Sequence, residues 1–202
     1  ALFWGLELGY PIRSWREDSG ERKPEAVPLW SVLKYEFPER KSKKTGETLP
    51  PVTMTWYDGD DAHMHQPPKE LFPDGNVPRT GSLLIGDKGT MVSPGDSGTE
   101  YVLFPQDKYK DYEPPTPWIA RSPGHMREFV DAVKGGPPAA SNFEYSGFLS
   151  EVVLAGCLSL HTDKKIEWDG PNMIAKNAPE LAHYIDTPYR PGWELVGREA
   201  FD

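Results

Sequence analysis

Two histidines set two apart among aspartates are the first place to look for chemistry in this chain of 202 residues. The run is Trp56-Tyr57-Asp58-Gly59-Asp60-Asp61-Ala62-His63-Met64-His65. On a strand, residues two apart face the same way, so His63 and His65 could offer two imidazoles to one metal ion, with a neighbouring aspartate as an oxygen ligand. Spacing fixes no third ligand, and the run is full of turn residues. It is read as an acidic loop at the end of a sheet, with no metal site. His125 is a second candidate. It follows Ser122-Pro123-Gly124, with Ser122 as the expected N-cap and Pro123 at the first helical position. That puts His125 in the first turn of a helix, off its apolar stripe, where a neutral imidazole can face a polar cleft as donor or acceptor. Gly86-Asp87-Lys88-Gly89-Thr90 has the look of a phosphate loop but not the spacing, because G-x-x-x-x-G-K-[ST] is not met. The single cysteine, Cys157, sits in an apolar run and reads as a small hydrophobe.

The elements that must position these residues follow from period. Leu29 to Phe37 alternates as a strand, and Val52, Met54 and Trp56 alternate with Thr53 and Thr55. The two runs are expected to pair as a long hairpin, with the polar stretch 38–51 and its Lys41, Lys43 and Lys44 as a solvated tip. Ile12 to Arg16 is a further strand. Ser82–Ile85 and Thr90–Val92 form strand, tight turn and strand, with Gly89 at the left-handed position of the turn. Tyr101 to Phe104 is another short strand. Met126, Phe129, Val130 and Val133 make the stripe of a helix over 123–134 that Gly135 ends. Phe148 to Leu160 is apolar on nearly every side, which predicts a helix over 147–161 buried on most of its surface. Gly156 in its middle predicts close packing against another backbone. Ile166 and Trp168 alternate as a strand, and Asn177 is expected to cap a short helix, 178–185. Residues 1–8 read as the tail of an apolar helix stopped by Gly9, with a longer protein expected to precede it.

Composition sets the class. The net charge of -9 argues against nucleic acid, whose binders are usually basic. Seven Trp, nine Tyr and eight Phe argue for a folded body in spite of 22 Pro and 19 Gly. No apolar run approaches a membrane span.

Several segments, taken in order, resemble the C-terminal domain of the glucose–fructose oxidoreductase and inositol dehydrogenase family (Gfo/Idh/MocA). They are P-L-W-S-V-L-K-Y-E-F-P at 28–38, T-W-Y-D-G at 55–59, G-S-L-L-I-G-D-K-G-T at 81–90, H-M-R-E-F-V-D-A-V-K-G-G at 125–136, Y-S-G-F-L-S-E-V-V-L-A-G from Tyr145, W-D-G-P at 168–171 and Y-R-P-G-W at 189–193. The resemblance covers nearly the whole chain and implies one α+β domain over 1–202. That domain has a large, mostly antiparallel open β-sheet with helices packed on one face; in relatives the other face often makes an oligomer interface. The resemblance also implies that NAD or NADP is bound by a Rossmann domain upstream, together with the family's lysine and histidine motifs. No G-x-G-x-x-G occurs in the chain.

The function this implies is substrate binding and assembly within an NAD(P)-dependent oxidoreductase acting on a sugar or polyol, the chain alone being inactive. Trp56 and Tyr57 suit the apolar faces of a sugar, and Asp58 and His125 suit its hydroxyls. Tyr145 and Arg190 are weaker candidates. No catalytic, cofactor-binding or metal-binding residue is assigned. Two alternatives belong to other classes: a domain of an NAD-dependent glycosidase or lyase that uses transient oxidation, and a non-catalytic module that binds partners through its sheet. The expected partners are a small sugar-like substrate and further copies of the chain through the open sheet face, with no nucleic acid and no membrane. Relatives with and without an export signal leave the compartment open between cytoplasm and periplasm.

Overall fold

The computed structural model describes residues 2–117 and 119–193. In chain order the elements are α1 (Leu2–Gly5), β1 (Arg13–Ser19), β2 (Trp30–Phe37), β3 (Arg40–Lys41), β4 (Thr48–Leu49), β5 (Val52–Gly59), β6 (Gly81–Ile85), β7 (Thr90–Pro94), β8 (Val102–Phe104), α2 (Gln106–Tyr109), α3 (His125–Val133), α4 (Phe143–Ser159), β9 (Ile166–Asp169), β10 (Ile174–Ala175) and α5 (Ala182–Ile185). Every paired strand among the described residues is antiparallel, so the class is α+β as the resemblance implies. The chain divides into two compact units, one of Ala1–Gly5 with Gln66–Glu151 and one of Leu6–His65 with Val152–Asp202.

The second unit is built on a five-stranded sheet in the order β10-β9-β1-β2-β5. The expected long hairpin is its spine: β2 and β5 pair without a break from Trp30↔Gly59 to Phe37↔Val52. Its tip is more ordered than a solvated loop, because β3 and β4 continue the pairing at Arg40↔Leu49 and Lys41↔Thr48. The Glu7 carboxylate accepts from the Ser42 hydroxyl and the Lys43 N–H, both at 2.8 Å, and holds the turn of that tip. Glu7 itself has φ 49, so the chain leaves the first helix through a left-handed glutamate and not through Gly9. Arg40 completes the junction by donating to the Leu6, Glu7 and Pro50 carbonyls.

Residues 152–159 of α4 lie on one face of this sheet. Val152, Ala155, Gly156, Leu158 and Ser159 are buried. The Ser14 hydroxyl of β1 donates to the Ala155 carbonyl at 3.2 Å and accepts from the Ser159 hydroxyl at 2.9 Å. Ala155 and Leu158 join Ile166, Trp168, Ala175, Ala178 and Leu181 in the core. Gly156 does allow a close approach, but to a side chain, not to a backbone: a Cβ there would fall 1.8 Å from the Tyr35 hydroxyl oxygen. Burial on most sides is not found. Val153 and Leu154 are more than half exposed, so α4 is apolar all round but covered on one side.

Alternation puts Arg13, Trp15, Lys34, Glu36 and Lys165 on the opposite face. There Arg13 and Lys165 each reach Glu36 at 3.0 Å, Lys34 reaches Glu17 at 3.1 Å, and the Lys165 ammonium lies 3.6 Å from the Trp15 ring centre. The open face through which copies of the chain are expected to pair also carries Trp30 and Val32, whose types would make an apolar patch. Val32 is instead buried, Trp30 is covered in part by the His65 ring, and the remainder is a charge ladder. Asn177 also departs from expectation. It caps no helix; its side chain accepts from Glu167 N–H and donates to the Lys165 carbonyl, acting as a partner for β9 where no strand continues. A 3-10 turn, Pro179–Leu181, precedes the short α5.

The first unit holds the three-stranded sheet β6-β7-β8 around Phe72, Val92 and Phe104. The β6–β7 turn forms as expected, but Gly89 serves space: a Cβ would lie 2.4 Å from the Phe104 carbonyl oxygen. Phe3 meets Phe148 edge to face at 5.5 Å. Helix α3 begins after Gly124, at φ 110, and not at Ser122, whose hydroxyl instead accepts the Gly124 N–H. Gly135, at φ 84, ends it as expected. The stripe Met126, Phe129, Val130 and Val133 is exposed, and α3 buries no residue.

Candidate substrate-binding site

The end of β5 carries three of the four candidate residues, and strand alternation divides them. Leu33 pairs with Trp56 and Ser31 with Asp58, so these two share the face on which α4 lies. Tyr57 pairs with Val32 and faces the other way. Trp56 is 52% exposed, unusual for so large an apolar ring, and presents an indole to solvent on a rigid strand. Asp58 is exposed, and one of its oxygens accepts the Gly59 N–H at 2.8 Å. That bond shapes the strand's exit and leaves the second oxygen available as an acceptor. Gly59 is fixed by space and by backbone together. Its φ is 148, and a Cβ would lie 2.6 Å from Trp30 Cβ and 2.8 Å from the Leu29 carbonyl. The Trp56–Asp58 edge is therefore held by a residue that admits no side chain.

Two residues beside this edge, Tyr35 and Cys157, are not marked as part of it by their types or spacing. Tyr35 is buried to 3% exposure under Gly156, and burial pushes its phenol far above the usual range, with Cys157 and Asp58 adding to the rise. The Cys157 thiol is also pushed up, first by burial and then by the Asp58 charge. It is a poor nucleophile on that account. The only hint in sequence is Gly156, whose missing side chain makes room for Tyr35.

The two histidines do not converge. His63 Nδ1 lies 2.6 Å from an Asp60 oxygen that also accepts the Ala62 and His63 N–H groups. The Asp60 carboxyl is held below its usual range, first by the hydrogen bond from His63. His65 stacks on Trp30 at 3.7 Å between ring centres, with Asp18 at 4.0 Å. Among the described residues no group of three histidine, cysteine or carboxylate side chains could hold a metal ion. His125, the fourth candidate, is exposed at the start of α3 in the other unit, so the four residues are not gathered within one unit. Of the weaker candidates, Tyr145 packs on Phe3 and Trp4, while Arg190 lies 4.7 Å from the Trp193 ring centre.

No parallel strand–turn–helix unit of the Rossmann kind occurs among the described residues. That unit sets a glycine turn and a helix N-terminus against a dinucleotide's pyrophosphate, whereas the strand pairing here is antiparallel. What the β5 edge can do is hold a ring by its apolar face on Trp56 and accept a hydrogen bond from a hydroxyl at Asp58. No helix among the described residues is long and apolar enough to cross a membrane. The chain matches no family model, no curated protein and no solved structure.

Proposed function

We propose that this chain is the substrate-binding and assembly part of an NAD(P)-dependent oxidoreductase acting on a sugar or polyol. The ordered set of segments resembling the Gfo/Idh/MocA C-terminal domain carries the reading, and the antiparallel sheet with a helix on one face is consistent with it. In this reading the nicotinamide is held by a separate Rossmann domain of the same protein, and no step of hydride transfer runs through residues of this chain. Its own contribution is placement: Trp56 supplies a ring surface and Asp58 a charged acceptor, both on a strand whose exit Gly59 fixes. Tyr57 and His125 remain on the list as further contacts of the substrate, and assembly uses the open sheet face. That face is charged, so copies would pair by matching Arg13, Glu36, Lys34 and Glu17 and not by apolar burial.

The test is turnover by the protein that contains this chain, followed at the nicotinamide absorbance with a panel of aldoses and cyclic polyols. Reduction of NAD or NADP by at least one of them is expected, with Asp58→Ala lowering kcat/KM. Absence of turnover across the panel with both cofactors would remove the reading.

A further inference from the structure

The five-stranded sheet ends differently on its two sides. On one side the outer strand is β10, two residues long, and the Asn177 side chain serves the backbone of β9 where β10 stops. On the other side the outer strand is β5, eight residues in unbroken register with β2. Among the described residues no strand pairs with its far side. None of its residues is buried, against five of the eight in β2. Edge strands are ordinarily blunted by brevity, lysine, proline or a bulge. Val52–Gly59 has none of these.

The register settles which backbone groups face outward. The Asp60 N–H bonds the Leu29 carbonyl at 3.2 Å, one step beyond the Trp30↔Gly59 pair. The Trp30 carbonyl is turned the other way, to β1, where it accepts the Gly20 N–H. Opposed residues in an antiparallel ladder alternate between bonded and non-bonded pairs. The residues of β5 bonded to β2 are therefore Val52, Met54, Trp56 and Asp58. Thr53, Thr55 and Tyr57 turn their N–H and C=O groups away from β2, in a row with the spacing of a ladder and no strand to receive it. Such a row is specific for one kind of partner, another extended backbone.

We propose that β5 pairs antiparallel with β5 of a second copy, joining two sheets edge to edge about a two-fold axis beside Thr55. Hydrogen bonding selects this register. With Thr55 opposite the partner's Thr55, Thr53 stands opposite the partner's Tyr57, and the three bonded pairs use every outward group of these residues. A slip by two residues one way sets Tyr57 opposite Pro51, which has no N–H. A slip the other way sets Thr53 opposite Gly59, whose N–H is already given to the Asp58 side chain. Side chains agree with the choice. Met54 lies against the partner's Trp56 on the face where α4 sits, a thioether–indole pair that covers part of an exposed ring. Asp58, the strand's one charged residue, stands opposite Val52, so no like charges meet. A two-fold pairing consumes both β5 edges, and the assembly stops at two copies. It does not use the charged sheet face, and it involves neither substrate nor cofactor.

The experiment is sedimentation equilibrium of the full chain, with amide hydrogen exchange of the 15N-labelled chain at low and high concentration. A single strand pair is at the small end of protein contacts, so a dimer with a dissociation constant on the order of 10–100 µM is expected. The Thr53, Thr55 and Tyr57 amides should exchange at least about tenfold more slowly in the dimer than in the monomer. Thr55→Glu places a carboxylate opposite Lys34 within its own sheet and sets two carboxylates against each other at the axis. Thr55→Pro removes the central donor. Each should weaken association by more than about tenfold. Unchanged protection of the β2 amides shows that a variant is folded, and Thr55→Glu decides alone if Thr55→Pro is not. A chain that stays monomeric at about 1 mM overturns the proposal. So does a dimer in which those three amides exchange as fast as in the monomer, the result that pairing through the charged face would give. Association unchanged in a folded variant overturns it equally. Turnover enters none of these readouts, so this proposal and the oxidoreductase reading fail separately.

Discussion

Replacing Gly156 by alanine sets two effects against each other. On an isolated helix the change is favourable by about 1 kcal/mol, because glycine is the costlier residue in a helix interior. Here the new Cβ would arrive 1.8 Å from the Tyr35 hydroxyl oxygen, 2.7 Å from its ring carbon Cζ and 3.1 Å from Leu33 Cδ1. Carbon atoms rest at about 3.5–4 Å, so the tyrosine tip must retreat by more than 1 Å. Tyr35 is 3% exposed and Leu33 5%, so the displaced atoms must move within the packed interior and not into solvent. Overpacking of this kind costs about 1–3 kcal/mol, occasionally more, and a contact this short belongs at the upper end. The net expectation is a loss of about 2 kcal/mol. For a chain of this length that is a fall in Tm of roughly 4–8 °C, read by thermal and urea unfolding. Tyr35→Phe removes the nearest atom but leaves Cζ in place, so the double variant should recover about 1 kcal/mol and no more. A Gly156→Ala protein as stable as the parent, or more so, would refute the packing argument and return the glycine to a propensity defect.

Four further outcomes follow from the same geometry. Asp58→Ala should lower kcat/KM by about tenfold to a hundredfold in the full oxidoreductase if the carboxylate holds a substrate hydroxyl; a lowered Tm with unchanged kinetics would leave it only its bond to Gly59. Glu7, Glu36 and Asp163 have carboxyls held below their usual range, each first by a side-chain hydrogen bond, from Ser42, Lys165 and Arg16 respectively. A depressed folded-state pKa gives stability present above the unfolded value and lost as pH falls through the folded one, so urea midpoints should fall below about pH 4 and be flat from pH 5 to 7; a midpoint that rises on acidification contradicts the assignment. Asn177→Ala leaves Glu167 N–H and the Lys165 carbonyl without their partner and should cost about 1 kcal/mol, with faster amide exchange confined to β9. Calorimetric titration of the chain with NAD or NADP should show no tight binding, and a micromolar dissociation constant would overturn the placement of the cofactor in another domain.

Period carried much of the fold. The β2–β5 hairpin, β6–β7 and the β9 alternation are strong two-residue patterns with turn residues between them, and each formed where its pattern lay. Patterns specify which residues can share a face but not what covers it. The stripe of α3 is as regular as a stripe can be and is bare, while the all-round apolar α4 is covered on one side. Caps and closures failed for a related reason. Glu7 in place of Gly9 and Asn177 on β9 depend on partners far away in sequence, Ser42 and Lys165. The W-Y-D run was visible as residue types, yet its division between two faces is fixed by register with β2, and Tyr35 beneath Gly156 emerges only once helix and sheet are superposed.

The serine pair beneath α4 has a bearing on how that helix chooses its orientation. Hydrophobic burial is non-directional. A helix bearing Val152, Ala155 and Leu158 on one side and Val153 and Leu154 on another could turn about its axis and bury nearly as much. The hydroxyls of Ser14 and Ser159 are not indifferent in that way. Both residues are fully buried, and the Ser159 hydroxyl also meets the Ala155 carbonyl of its own helix, but the bonds that join helix to sheet, Ser14 to Ala155 and Ser159 to Ser14, can be made at one rotation and one axial position only. Any other setting leaves the buried Ser14 hydroxyl without its partners, at about 1–3 kcal/mol. Two small polar side chains thus act as a key in a lock otherwise made of grease, and a Ser14→Ala, Ser159→Ala protein would be expected to keep its helix content while losing the single sharp set of methyl resonances that marks one fixed orientation.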